Sequence, residues 1–216
     1  METISLKKDR TRAVERAAEV LRMGELLVAP TDTIYGLMAD AFKPWATARV
    51  FELKRRPRTL PLPILVSRPK QAWALCGAVP EAAMRLAAAF WPGALTLIMP
   101  ENPELDWDLG ERNGSIALRM PAHNDLIEII ARVGPIAGTS ANLSGRPTAP
   151  TVAGVAKDLG DAVSLYVDGG KSASEAGSTI VDLTGDEIRI RREGPITAAH
   201  VMAAAQDGPQ AGSTPG

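Results

Sequence analysis

Leu26-Leu27-Val28-Ala29-Pro30-Thr31-Asp32-Thr33-Ile34-Tyr35-Gly36-Leu37 is the stretch that decides how this chain is read. Its first half is a short apolar run, bounded by Gly24 and Pro30, of the length and composition of a buried strand. Pro30 has no N–H to give to a sheet ladder, so the strand stops there. The polar Thr31-Asp32-Thr33 then falls at the carboxyl end of that strand, where open α/β sheets bind their ligands.

Outward from this stretch, helices and strands interleave. Ile4 and Leu6 alternate with polar neighbours and suit a short strand. Asp9 can cap a helix over residues 10–23, with Ala13, Val14, Ala17, Ala18 and Leu21 on one face and Gly24 at its end. Pro44 suits the first turn of a helix that reaches Leu53. Further helices are expected over 80–90, 123–133, 151–159 and 198–205. Strands are expected over 63–66, 94–99, 115–120, 136–138, 164–167, 178–183 and 187–192. Residues 100–113 are polar and turn-rich, and read as a loop. This order predicts an α/β fold, a single domain with a twisted, mostly mixed sheet flanked by helices. The mixing follows from the last strands, which succeed one another with no helix between them. Residues 1–206 read as the domain, and the Gly/Pro-rich residues 207–216 as a disordered tail.

The chain has 216 residues, enough for one sizeable core. A formal net charge of −1 does not imply a broad nucleic-acid surface, although Lys54, Arg55, Arg56 and Arg58 form a local basic cluster. With one cysteine there is no intrachain disulfide, and with two histidines besides there is no Cys/His zinc site. No protein-held metal is therefore expected. Cys76, in the apolar run Trp73-Ala74-Leu75-Cys76, reads as a buried small hydrophobe. No apolar run has the length of a membrane span, and the N-terminus lacks the order of a signal peptide. A cytoplasmic protein is the expectation.

Two short motifs are decoys. Gly169-Gly170-Lys171-Ser172 resembles the end of a phosphate-binding loop, but the required earlier glycine is Leu165. Ser67-Arg68-Pro69-Lys70 and Ser140-Ala141-Asn142 resemble elements of penicillin-binding enzymes, but the third element is missing because Ala173 stands where glycine is needed. The remaining polar clusters share a pattern. Thr31-Asp32-Thr33 and Ser140-Ala141-Asn142 each follow a strand, and Ser178-Thr179 begins one. Each alone is an ordinary turn. The cations change the reading. Arg119 lies in the apolar strand Ile116-Ala117-Leu118-Arg119-Met120, and a buried guanidinium needs a partner, either an internal acid or a bound carboxylate. Lys54, Arg56 and Arg192 together can neutralise a polyphosphate. Asp32 can orient Thr33 or order a metal-bound water, and His123 reads as a helix cap.

These residues, in this order, resemble the YrdC-like threonylcarbamoyl-AMP synthase (TsaC) family in its short single-domain form. The matching elements are Pro30 to Leu37, Lys54-Arg55-Arg56-Pro57, Phe90 to Leu97, and Ser115 to Pro121 with His123. They continue with Thr139 to Gly145, Asp168-Gly169-Gly170, Gly177 to Leu183 and Arg191 to Gly194. One element would be weak, but the ordered set over residues 10–200 is specific.

The resemblance implies an enzyme that condenses L-threonine, bicarbonate and ATP into threonylcarbamoyl-AMP and pyrophosphate. It implies Mg²⁺ carried with ATP and a downstream tRNA threonylcarbamoyl-transfer complex of the TsaD/TsaB/TsaE type, with weak tRNA binding left open. Carried over position by position, it assigns Thr33, Arg119, Ser140 and Ser178 to threonine. Lys54, Arg56, Ser115, Asn142 and Arg192 go to ATP. The segment Arg146 to Thr151 is one residue longer than the family pattern, so either Thr148 or Thr151 meets the nucleotide, with Thr151 favoured. Leu60 and Leu65 stand where some relatives carry an Asn and a His. Two other readings compete. An RNA-binding module is disfavoured by the low charge and few aromatics. A hydrogenase-maturation-type carbamoyl adenylation is disfavoured by the missing accessory regions.

Overall fold

A computed structural model describes residues 1–111, 113–174 and 176–206. The expected tail lies outside the described residues. In chain order, the first half holds β1 (Glu2–Ser5), α1 (Arg10–Arg22), β2 (Leu27–Ala29), β3 (Gly36–Asp40), α2 (Pro44–Lys54), β4 (Ile64–Leu65), α3 (Pro69–Trp73) and α4 (Glu81–Phe90). The second half holds β5 (Leu95–Pro100), β6 (Ser115–Arg119), α5 (Asn124–Val133), β7 (Ile136–Ser140) and α6 (Val152–Leu159). It closes with β8 (Leu165–Asp168), β9 (Thr179–Asp182), β10 (Arg189–Arg192) and α7 (Ala198–Gln206).

All the strands join one 10-stranded sheet in the order β1-β8-β2-β3-β7-β4-β6-β5-β9-β10. Parallel pairs (β1 with β8, β2 with β8, β4 with β6, β5 with β9) mix with antiparallel ones, as expected. The helix caps also follow the sequence. The Asp9 side chain accepts the Arg12 N–H at 3.1 Å, and His123 Nδ1 accepts the Leu126 N–H at 3.4 Å.

Two elements were not expected. Strand β3 is the antiparallel partner of β2, with Ala29 opposite Gly36. Its sequence Gly-Leu-Met-Ala-Asp carries no β-branched residue and is buried along nearly its whole length, so neither propensity nor alternation marks it. Helix α3 is too short to show a period. Strand β7 also runs on to Ser140, past the expected end at 138. Cys76 is half-buried rather than buried; its Sγ donates to Ala72 O at 3.3 Å, and burial pushes the thiol up to about 12.

The sheet has a core on each face. On one side Leu26, Val28, Leu37, Leu97, Leu118 and Val181 pack with residues of α2, α4, α6 and α7. On the other side Leu27, Ala29, Met38, Leu65 and Ile136 pack with residues of α1 and α5. Those two helices lie against each other and cannot cover so wide a sheet. The uncovered part of their face is where the functional residues gather. No helix among the described residues is long and apolar enough to cross a membrane.

Candidate functional site

A cavity of about 580 Å³ opens on this uncovered face. That is within the usual range for small-molecule sites, roughly 300–1,000 Å³. Its floor is the sheet itself. Gly36 and Met38 of β3, Gly138 and Ser140 of β7, Leu65 of β4, Ser115, Ala117 and Arg119 of β6, Thr96 and Ile98 of β5, and Ile180 of β9 all line it. These are alternate residues, which a strand presents to one side. Arg119 therefore faces the cavity while Leu118 enters the opposite core. The site spreads across a sheet face and also draws on carboxyl ends of strands: Thr31 and Thr33 follow β2, Asn142 follows β7, and Leu65, Arg119, Ser140 and Arg192 close β4, β6, β7 and β10. Small residues make the room. A Cβ on Gly138 would stand 2.7 Å from Leu65 Cδ1.

Arg119 is 7% exposed and already bonded three ways. Its Nε donates to Gly93 O at 3.0 Å, Nη1 to Thr33 Oγ1 at 3.1 Å, and Nη2 to Asp32 Oδ1 at 2.7 Å. The internal acid is therefore present, and Asp32 serves Arg119 directly. Burial pulls the Arg119 pKa down and Asp32 opposes this; the guanidinium stays charged.

The hydroxyls beside it have fixed directions. Thr31 Oγ1 donates to Ile34 O at 2.7 Å, so its 3.0 Å bond to Thr33 Oγ1 uses the hydrogen of Thr33. With that hydrogen spent, Thr33 meets a ligand only as an acceptor. Ser140 Oγ likewise donates to Asn142 Oδ1 at 2.6 Å and is left an acceptor. Ser178 Oγ and Thr96 Oγ1 are 2.7 Å apart in the same wall.

Lys54 is placed differently from its expected role as a direct nucleotide contact. It is 1% exposed and does not line the cavity. Its Nζ donates to Asn142 O at 2.6 Å, to Asn142 Oδ1 at 2.7 Å and to Ser140 O. Three acceptors take all three N–H bonds of an ammonium, although burial and the neighbouring Arg56 push the group down to about 7. Lys54 thus braces the Ser140–Asn142 turn from behind. It holds Oδ1 of Asn142 inward, while Nδ2 donates to Arg146 O.

Arg56 and Arg192 line the cavity, each held by backbone carbonyls. Arg56 donates to Leu60 O at 2.7 Å and Pro61 O at 3.0 Å, and Arg192 donates to Ser178 O at 3.0 and 2.7 Å. Burial lowers both pKa values, but carbonyls do not neutralise the charge. Thr148 lines the cavity and Thr151, the favoured of the two for the nucleotide, does not: the Thr151 hydroxyl accepts the Gly154 N–H at 3.4 Å and caps α6. Leu60 and Leu65 are both in the wall.

The structure thus brings together Thr33, Arg56, Ser115, Arg119, Ser140, Asn142, Ser178 and Arg192, and sets Lys54 and Thr151 behind them. Sequence reasoning missed Thr96 and Arg146. The i,i+2 spacing of Thr96 from the equally cavity-facing Ile98 would have found the first. The second sits in a turn with no period.

Among the described residues lining the cavity there are four arginines and no Asp, Glu, His, Cys or Lys. No group of His, Cys, Asp and Glu among the described residues can hold a metal ion. Such a wall binds and orients an anion and supplies neither a nucleophilic thiol nor a proton-transfer histidine.

The Sua5_yciO_yrdC family, described as "Telomere recombination", matches residues 19–194. A Mycobacterium leprae protein named "Putative threonylcarbamoyl-AMP synthase" is 45% identical over 192 residues, 89% of this chain and 87% of that protein. The Pyrococcus abyssi threonylcarbamoyl-AMP synthase is 40% identical over 171 residues, 78% of this chain and 50% of its own length. The crystal structure of P. abyssi Sua5 complexed with L-threonine superposes with a TM-score of 0.84 at 33% identity, covering 94% of this chain and 60% of that one. The chain therefore spans most of the mycobacterial relative and little more than half of the archaeal one. By sequence and by fold, it belongs to the Sua5/YciO/YrdC family.

Proposed function

We propose that this chain makes L-threonylcarbamoyl-AMP from L-threonine, bicarbonate and ATP, releasing pyrophosphate. The observation that carries the reading is the charge of the wall. Among the described residues, four arginines face one cavity, only Arg119 of these has a carboxylate partner, and no carboxylate lines the space. Such a wall fits a polyanion beside a small zwitterion. The names of the relatives and the threonine-bound archaeal structure supply the chemistry.

The residues divide accordingly. Arg119 meets the threonine carboxylate with the N–H bonds its protein partners leave over. Thr33 and Ser140, as acceptors, take N–H or O–H bonds of the amino acid, and Ser178 completes that side. Arg56, Arg192, Ser115, Asn142 and Thr148 hold ATP, and Lys54 acts by holding Ser140 and Asn142 in place. Bicarbonate supplies carbon dioxide, and the threonine amine captures it as a carbamate, with one water released overall. A carbamate oxygen then attacks the α-phosphorus, and the bond to pyrophosphate breaks. The step depends on positioning and charge stabilisation, for which fixed cations are suited. The described residues of the wall offer no carboxylate set for a resident metal, so Mg²⁺ comes with the phosphates and water. The product is then passed to a tRNA-modifying transfer complex of the TsaD/TsaB/TsaE type in the cytoplasm.

Pyrophosphate release, measured with ATP, bicarbonate and each amino acid in turn, tests this. Release with threonine above all others is the expected result. Release that ignores the amino acid supplied, or no release with any, would refute it.

A further inference from the structure

The four cavity arginines are not equivalent. Arg56, Arg119 and Arg192 are each held by protein acceptors, Arg119 buried, Arg56 half-buried and Arg192 exposed but fixed by two bonds to Ser178 O. Arg146 is exposed, and among the described residues its guanidinium has no partner.

The backbone beneath it is firmly mounted. Arg146 N–H donates to Leu143 O at 3.0 Å, and Arg146 O accepts from Asn142 Nδ2. Two residues earlier, Ser144 N–H donates to Lys54 O at 3.0 Å. Gly145 has φ 80°, a conformation that favours glycine, and it turns the chain so that Arg146 comes back over the cavity. Pro147 then fixes the exit. The result is a free cation on a fixed mount at the mouth of a positively charged pocket.

We propose that Arg146 binds the outer phosphates of the nucleotide and the pyrophosphate that leaves. The proposal rests on the reading of the cavity as an ATP site. The α-phosphorus must sit in exact relation to the attacking oxygen, which suits the fixed guanidiniums deeper in the wall. The outer phosphates must enter and depart, which suits a solvated side chain that can swing. Guanidinium pairs phosphate oxygens in a bidentate fork, and an exposed one gives up little protein bonding to do so. Arg146 also ties the two ligands together, because Asn142 holds its carbonyl while accepting from Ser140 and Lys54.

Calorimetric binding of ATP, inorganic pyrophosphate and AMP to the whole chain tests this, with Arg146→Ala and Arg146→Lys beside the wild type. Arg146→Ala should weaken ATP and pyrophosphate by about ten-fold, the loss of one charge-assisted contact, and leave AMP unchanged. Arg146→Lys should recover part of the loss, and thermal unfolding of both variants should match the wild type. Equal binding of ATP and pyrophosphate by wild type and Arg146→Ala would overturn the proposal while leaving the ATP site standing. An equal loss for AMP would overturn the assignment to the outer phosphates. A wild type that binds neither ATP nor pyrophosphate would refute the ATP site, and the role of Arg146 with it.

Discussion

Arg119 Nη2 and Asp32 Oδ1 are 2.7 Å apart, an ion pair largely withdrawn from solvent beside the cavity. With Thr33 and Gly93 also accepting, three of the five N–H bonds of the guanidinium are spent. One remains on each terminal nitrogen, which is what end-on pairing with a carboxylate requires. Asp32 thus holds Arg119 charged and aimed before any ligand arrives.

Asp32→Asn should leave that buried charge without its acid. Thermal or urea unfolding should show a loss of about 3 kcal/mol, the cost of breaking a buried pair. L-threonine should then raise the melting temperature more in the variant than in the wild type, since its carboxylate replaces the missing one. Arg119→Ala should lose threonine affinity by a few kcal/mol, roughly, and keep nucleotide binding. Unchanged threonine binding in Arg119→Ala would remove Arg119 from the ligand.

Lys54→Met removes the brace shared by Ser140 and Asn142. Affinities for threonine and for ATP should fall together, because one residue of the turn is assigned to each. Arg56→Met should affect ATP alone. Calorimetry with both ligands separates the two patterns.

A Cβ on Gly177 would stand 2.8 Å from Arg192 Nη2, the movable end of a long side chain. Gly177→Ala should therefore fold normally and push Arg192 off Ser178 O. ATP affinity should fall by about ten-fold, as for the loss of one charged contact, with a melting temperature close to the wild type.

His123 is held neutral by burial, and its Nδ1 is committed to the Leu126 N–H. Asp125 and Asp32 oppose the shift, but the net direction is below the ordinary histidine value. The unfolded state then holds more protons between the folded pKa and about 6.5. This contribution is fully present above about 6.5 and is lost as pH falls through the folded pKa. His123→Asn keeps a cap and cannot titrate, so the stability of the wild type relative to it should decline on acidification from neutral pH. A constant difference would show that His123 does not titrate with folding.

Much of this was legible in the sequence. The apolar run before Pro30, the capped helices and the closing strands each carry a local signal, and the mixed sheet follows from their order. Strand β3 was not legible because it has no β-branched residue and is buried along nearly the whole strand, so its identity comes from pairing with β2 and β7. The site residues were found mostly as a set. The depth at which each sits was not visible. Lys54 and Arg56 are two positions apart, yet one braces the wall and the other lines it, because the helix ends between them at Arg55, with φ 51°. Thr151 and Thr148 differ by whether the chain has yet entered α6.

The most direct test supplies isotopically labelled bicarbonate with ATP and L-threonine, and identifies the adenylate by mass. The expected product carries threonine, the labelled carbon and AMP in one molecule, with one pyrophosphate released for each. An adenylate without the labelled carbon, or ATP cleaved with no adenylate formed, would contradict the account.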